Sequence, residues 1–245
     1  MLPTTTPPTT IQILPGYRPG ILGRTIEMHM DYYYPLAGWG HSFEAGLAAA
    51  LGPFLKRLDD ANKDPQVAKE EEEDDAVAAA DGGNVKPSTR GRKNQVWAAI
   101  QVQNNKKERI VGVVYIDGDY YRFGEHKEEK GEEVCRLRCL IADDSVRGLG
   151  VGGKLFAAAM AFVKEEAGFQ ECRLTTSRQL EAARRLYERG GFVVVEEKKE
   201  EYVREDDGRK QIFERMQYVW RRDGGAAPEE EKKRADLTGT QVVVG

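Results

Sequence analysis

The chain has 245 residues, of which 40% are hydrophobic and 32% charged, and a formal net charge of −4. That length supports one sizeable core or two small ones, and the charged fraction implies that part of the chain is solvated rather than packed. Between Asp59 and Asp81 ten acidic residues stand against Lys63 and Lys69, a local excess of eight negative charges that leaves the remainder at +4; so small a surplus, with no basic stripe interleaved with aromatics, speaks against a nucleic-acid partner and suits an anionic ligand.

Met1 to Thr10 is a Thr/Pro repeat and is expected to be disordered. Ile11 to Leu14 reads as a short first strand. From Pro19 a helical period follows, with Ile21, Leu22, Ile26 and Met30 on one side, ending near Tyr34-Pro35. A second helix starts at the N-cap candidate Ser42 and runs through Leu47, Leu51, Leu55 and Leu58. Asp59 to Arg92 is a linker by composition, with the acid run Glu70–Asp75 and a basic Lys86–Lys93 segment. Strands follow at Gln95–Gln103 and Ile110–Ile116, and then a tyrosine-rich, charged stretch from Asp117 to Gly131 reads as a hairpin end with a mobile loop. In the strand Cys135–Ala142, alternation puts Cys135, Leu137, Cys139 and Ile141 on one face. A helix spans about Gly150 to Ala167, with Val151, Leu155, Ala159, Phe162 and Val163 as its apolar stripe. Next come a strand (Glu171–Thr176), a helix (Gln179–Arg189) and two strands (Phe192–Glu197, with Val203 as its outer limit, and Gln211–Trp220) joined by the turn Asp206-Asp207-Gly208. The order implies a mixed α/β domain over residues 11–222, interrupted by an acidic disordered insertion at about 59–93 and followed by a disordered tail at 223–245.

Cys135, Cys139 and Cys172 are too few for a disulfide framework and read as buried thiols in a reducing compartment. No Cys or His pair completes a zinc set with Cys135 and Cys139, so no metal is expected. No apolar run is long enough to span a membrane, and the first residues lack signal-peptide order, so the expected location is the cytoplasm, with the nucleus also open.

The most informative segment is Arg147-Gly148-Leu149-Gly150-Val151-Gly152-Gly153-Lys154. Glycines at the start of a helix let the backbone approach a ligand, and they leave the first-turn N–H groups and the helix dipole to hold a pyrophosphate. Three readings compete. One is a structural turn. A second is a dinucleotide fold, because Gly148, Gly150 and Gly153 satisfy G-x-G-x-x-G; but Asp143-Asp144-Ser145 intervene after the strand, and Glu171 begins the next strand instead of ending it.

The third accounts for more residues. The loop resembles motif A of the GNAT superfamily of N-acetyltransferases, Gln/Arg-x-x-Gly-x-Gly/Ala, at Arg147, Gly150 and Gly152. Leu186-Tyr187-Glu188-Arg189-Gly190-Gly191-Phe192 resembles that family's L-Y-x-x-x-G-F signature. The likeness covers roughly Val96 to Trp220. More weakly, Tyr17-Arg18-Pro19-Gly20, Gly38-Trp39-Gly40 and Phe43-Glu44 resemble the GNAT domain found fused to MarR-type repressors.

The resemblance implies a GNAT-type, mostly antiparallel sheet flanked by helices, with a bulged strand before motif A. Acetyl-CoA is the implied co-substrate. Its pantetheine would pair with the backbone of Leu140, Ile141 and Ala142, and its pyrophosphate with Arg147, Gly148, Leu149, Gly150, Val151 and Gly152, with Gly153 added. Tyr187 matches the tyrosine that donates a proton to the departing thiolate; as a bare residue it reads equally as a core tyrosine on an amphipathic helix. Relatives carry a glutamate base where this chain has Thr175, or one on the strand before motif A, where Glu132 and Glu133 are candidates. An asparagine of many relatives is Leu180 here, with Ser177 and Arg178 as substitutes. Tyr33 and Trp39, within the group Tyr32-Tyr33-Tyr34, Trp39 and Phe43, stand where the family builds its acceptor wall; core packing between the first two helices is the other reading. His29 and His41 read as a helix-surface residue and a loop residue.

The expected activity is acetyl transfer from acetyl-CoA to an amine of a small molecule or peptide, with no nucleic-acid or membrane partner; a homodimer is compatible. The other class is a non-catalytic acyl-CoA-binding domain, in whose favour Thr175 replaces a base. A nicotinamide-dependent oxidoreductase is the third.

Overall fold

In a computed structural model the described residues are 10–61, 93–102, 108–120 and 133–224. The disorder expected for the N-terminal repeat, the acidic insertion and the tail, and most of the loop after Asp117, lies outside them. At the margins, Thr10 begins a strand and residues 59–61 end a helix.

The elements are β1 (Thr10–Pro15), α1 (Ile21–Ala37), α2 (His41–Ala61), β2 (Asn94–Val102), β3 (Glu108–Asp117), β4 (Val134–Ala142), a 3-10 turn (Asp144–Val146), α3 (Val151–Ala161), a π turn (Phe162–Glu166), β5 (Glu171–Ser177), α4 (Glu181–Arg189), β6 (Val193–Val203) and β7 (Lys210–Arg221). The seven strands form one sheet in the order β1-β2-β3-β4-β5-β7-β6. Every pairing is antiparallel except β4 with β5. The expected mixed, mostly antiparallel α/β sheet is what the chain forms.

Both faces of the central strands are covered, so β2 and β3 are buried almost throughout. On one side Ile21 and Met28 of α1 and Leu47, Leu51, Phe54 and Leu58 of α2 pack on Val96, Ala98, Ile100, Val113 and Tyr115. On the other, the stripe Val151, Leu155, Ala159, Phe162 and Val163 packs with Trp97, Val111, Val114 and Ile116. Each fully buried large side chain here contributes about 1.5–3 kcal/mol.

Two expectations need correcting. The core face of α1 is Ile21, Thr25, Met28 and His29, rotated from the apolar stripe. Thr25 and His29 are tolerated inside because their polar atoms are paired. The Thr25 hydroxyl donates to Ile21 O at 2.7 Å and meets the Tyr115 hydroxyl at 2.7 Å, and His29 Nδ1 lies 2.7 Å from Thr25 O. His29 is therefore a buried residue, not one of the helix surface. The helix also absorbs Pro35 and ends at Ala37, where Gly38 at φ 65° donates to Tyr34 O at 2.8 Å.

Candidate active site

The site begins at a defect in β4. Val113 faces Ile141 and Tyr115 faces Arg138, so Cys139 and Leu140 share the place opposite Val114. Cys139 takes φ 52°, the left-handed region, as the extra residue of a bulge. Beyond the bulge the alternation inverts. Cys135 and Leu137 belong to the α3 side, whereas Cys139 and Ile141 pack toward α1 and α2, and Leu140 and Ala142 toward α3. The expectation that all four odd residues share one face fails for that reason: one inserted residue changes the parity of a period of two.

The other edge of β4 opens at the same level. β4 pairs with β5 only at Val134, Cys135 and Arg136, while β5 runs on to Ser177 against β7. Leu137 to Ala142 therefore have no strand partner on that side, and a wedge separates them from β5. Leu140, Ile141 and Ala142 line the β4 wall of this wedge.

At the end of β4 the chain turns into the glycine loop. Asp143 donates its N–H to Val111 O at 2.9 Å, and its carboxylate accepts from Ser145 N at 2.9 Å, which caps the 3-10 turn. Arg24 of α1 and Arg109 of β3 both pair with this carboxylate, the second at 3.0 Å. Burial opposes ionisation of Asp143, but the Ser145 hydrogen bonds and the two guanidinium groups outweigh it and hold the carboxyl below its ordinary range. Gly148 and Gly150 have φ 81° and 71°, values that L side chains rarely adopt. A Cβ at Gly148, Gly150, Gly152 or Gly153 would meet nothing within 4 Å. Gly150 caps α3 with no side-chain bond, and the first bond of the helix runs from Lys154 N to Gly150 O. The N–H groups of Val151, Gly152 and Gly153 thus have no intrahelical acceptor. Leu149 is exposed, and Arg147 is exposed beside its ion-pair partner Asp144. The loop and helix start fit a pyrophosphate.

Two tyrosines, from α4 and α1, lie within electrostatic reach of Cys139 at the bulge. Tyr187 of α4 is buried against Phe156, Phe192 and Tyr218, with ring centroids 5.8–6.2 Å apart. Its hydroxyl has no hydrogen-bond partner among the described residues. Burial, and then the nearness of Cys139 and Tyr218, pushes its pKa up, so the phenol stays protonated at neutral pH. Tyr33 of α1 is pushed up likewise, by burial first and then by Tyr187, Tyr32 and Cys139. Tyr33, Cys139 and Tyr187 are thus electrostatic neighbours.

Around Tyr33 the aromatic group is assembled from both ends of the chain. Trp39 stacks on Tyr33 at 4.8 Å and 20°, and lies 4.8 Å from Phe43 and 4.7 Å from Phe213 of β7. The β6–β7 hairpin is fastened to the α1–α2 loop: Tyr202 donates to Ala37 O at 2.8 Å, Glu205 N to Gly38 O at 2.9 Å, and Glu205 pairs with His41 at 2.6 Å. Sequence reasoning found Tyr33, Trp39 and Phe43 but missed Tyr202, Phe213, Arg24 and Arg136, which carry no local signal and meet their partners only through the sheet.

Other candidates lie elsewhere or are already engaged. Glu133 precedes β4, about 20 Å along the strand from the bulge at the usual rise per residue; Glu132 lies outside the described residues. The Thr175 hydroxyl accepts from Arg136 Nη2 at 2.9 Å. Ser177 is fully buried and bonded to Gln179, and Arg178 is paired with Glu197 and Glu214. His41 is exposed at the start of α2.

The profile of the Acetyltransferase (GNAT) family matches residues 56–192. Among curated proteins none matches the sequence. In fold the chain is similar to Arabidopsis thaliana NAA60, solved with a bisubstrate analogue (18% identity, 86% of this chain and 99% of that chain, TM-score 0.51) and with acetyl-CoA (16%, 87% and 99%, TM-score 0.50). It is also similar to a protein of Acinetobacter baylyi ADP1 assigned as an acetyltransferase (12%, 90% and 98%, TM-score 0.53). With more than half of its length matched by the family profile, and with the bulged strand, wedge and glycine loop in place, this chain belongs to the GNAT family of acetyltransferases.

Proposed function

We propose that the chain is an N-acetyltransferase that moves an acetyl group from acetyl-CoA to an amine by direct attack, within one catalytic unit over residues 11–222. The observation that carries this reading is the coincidence, along the last residues of β4, of the Cys139 bulge, an edge unpaired with β5 from Leu137 onward and the uncapped start of α3. The complex of NAA60 with acetyl-CoA supports the co-substrate.

Acetyl-CoA, when bound, supplies an activated acetyl thioester. Arg147, Gly148 and Leu149 through Gly153 surround its pyrophosphate: Val151, Gly152 and Gly153 offer the first-turn amides and the positive helix end, whereas the amides of Arg147 and Leu149 already donate to Asp144 O and Val146 O. Leu140, Ile141 and Ala142 border the arm in the wedge, and a backbone N–H released from the ladder at the bulge can polarise the thioester carbonyl. Tyr33 and Trp39 orient the acceptor so that its amine lone pair attacks the thioester carbon. As the carbon–sulfur bond breaks, Tyr187 gives its phenolic proton to the sulfur and is reprotonated, through solvent, by the proton the amine loses. Burial keeps the Tyr187 phenol in its protonated form, so its proton is present when the thiolate leaves. Thr175 carries no carboxylate and Glu133 lies about 20 Å along the strand from the bulge; among the described residues no candidate base reaches the site, and the proposed proton acceptor for the amine is water. The proposed acceptor is a small molecule or peptide amine, and the proposed location cytoplasmic or nuclear. No helix among the described residues is long and apolar enough to cross a membrane.

Calorimetric titration with acetyl-CoA and with NAD(P)H, followed by thiol release on a panel of amines, tests this function. Binding of acetyl-CoA, no binding of NAD(P)H and amine-dependent thiol release are expected. Binding without release on any amine would leave a non-catalytic acyl-CoA-binding domain instead.

A further inference from the structure

Arg136 of β4 is held on the sheet face that also carries Thr175 and Arg138. Its Nη2 donates to the Thr175 hydroxyl at 2.9 Å, and its guanidinium lies 4.3 Å from the Tyr120 ring centroid, with Arg138 5.2 Å from the same ring. In the parallel register Arg136 stands directly opposite Arg173, and like charges so placed repel. The neighbouring carboxylates are shared already. Asp117 takes Arg57 at 3.0 Å and Arg138 at 3.1 Å, and Glu171 takes Arg173 and, at 3.1 Å, Arg221. Among the described residues Arg136 has a hydroxyl and a ring for company and no carboxylate. A guanidinium held by a hydroxyl and a ring, with N–H groups to spare, can make two parallel bonds to a carboxylate.

We propose that Arg136 binds a carboxylate of the acyl acceptor, so that the preferred acceptor is an amine with an acidic group on the same molecule. The bulge at Cys139–Leu140 lies three to four residues along β4, roughly 10–13 Å away at the rise of a strand. In an extended peptide that separates the reacting N-terminal amine from an acidic side chain at about the third or fourth residue. The assignment rests on the acyl-transfer reading for the placement of the amine, and its test is independent of turnover.

The peptides Ala-Ala-Glu-amide and Ala-Ala-Gln-amide, titrated calorimetrically into the full chain, give the comparison. The glutamate peptide is expected to bind about fivefold or more tightly than its isostere. In Arg136→Gln the two bind equally, with the acetyl-CoA Kd unchanged as the check on folding, and Arg136→Lys keeps part of the preference. Equal affinity of the two peptides for the wild-type chain, or a preference that survives in Arg136→Gln, overturns the proposal. Failure of the chain to bind acetyl-CoA or to release thiol would instead overturn the acyl-transfer function, and it leaves the carboxylate comparison readable.

Discussion

Two single residues carry the sharpest consequences. Tyr187 is a buried residue whose protonated hydroxyl has no hydrogen-bond partner among the described residues, and it lies within electrostatic reach of Cys139 at the bulge. Tyr187→Phe keeps the ring packing and removes only the proton, so turnover should fall roughly 10- to 100-fold with the acetyl-CoA Kd nearly unchanged, as measured by steady-state thiol release and calorimetry. Unchanged turnover would end its role as the acid. His29 gives a pH signature. Burial lowers its pKa to about 4, against the opposing hydrogen bond to Thr25 O. The unfolded chain, with an ordinary histidine near 6.5, binds more protons between those values, so this contribution to stability is complete above pH 6.5 and is lost as pH falls toward 4. Urea unfolding at pH 7 and pH 5 should show a decline of about 2 kcal/mol from this group, reduced in His29→Gln. The motif residues were legible one by one, because glycine at a helix start and tyrosine in a fixed signature are short-range signals. The burial of His29 was not legible: an imidazole reads as polar until its one bonded nitrogen and its packing are known.

Among the elements, α3 and β4 define the site together. Gly112 of β3 lies beneath α3, where a Cβ would come within 2.9 Å of Leu155 Cδ1, 3.1 Å of Ile141 O and 3.3 Å of Val151 Cγ1. Gly112→Ala should push the first turn of α3 away from the strand that carries the bulge. A loss of about 1–3 kcal/mol in chemical denaturation is expected, together with a severalfold weaker acetyl-CoA Kd; full stability with unchanged binding would show that the helix start tolerates the shift. Strand and helix positions followed from the alternation of apolar residues, and the five-residue stripe of α3 is buried throughout. The side of the sheet reached by Cys139 and Ile141 did not follow, because a bulge is decided by pairing with β3 and leaves no trace in a composition of β-formers.

At the scale of the molecule, the two ends of the domain close over the aromatic group. Gly38 has φ 65°, and a Cβ there would come within 2.5 Å of Asp206 Oδ1 and 2.9 Å of Arg204 Cβ. Gly38→Ala should lift the β6–β7 hairpin from the α1–α2 loop. The acceptor kcat/KM is expected to fall more than tenfold, about 1.4 kcal/mol, while acetyl-CoA binding at the far loop changes little; an equal loss of both would indicate general unfolding. The exposed His41–Glu205 pair adds little to this closure, as surface ion pairs do.

By itself the amino-acid sequence determined the element order, the helix stripes, the glycine loop and the hairpin turn, since each depends on neighbours a few residues away. Only the tertiary structure decided that Arg24 pairs with Asp143, 119 residues distant, that Trp39 packs on Phe213, and that Tyr33 comes into the electrostatic neighbourhood of Tyr187. Such contacts arise when a seven-stranded sheet brings distant segments into register, and no periodicity along the chain encodes which side chains then face one another.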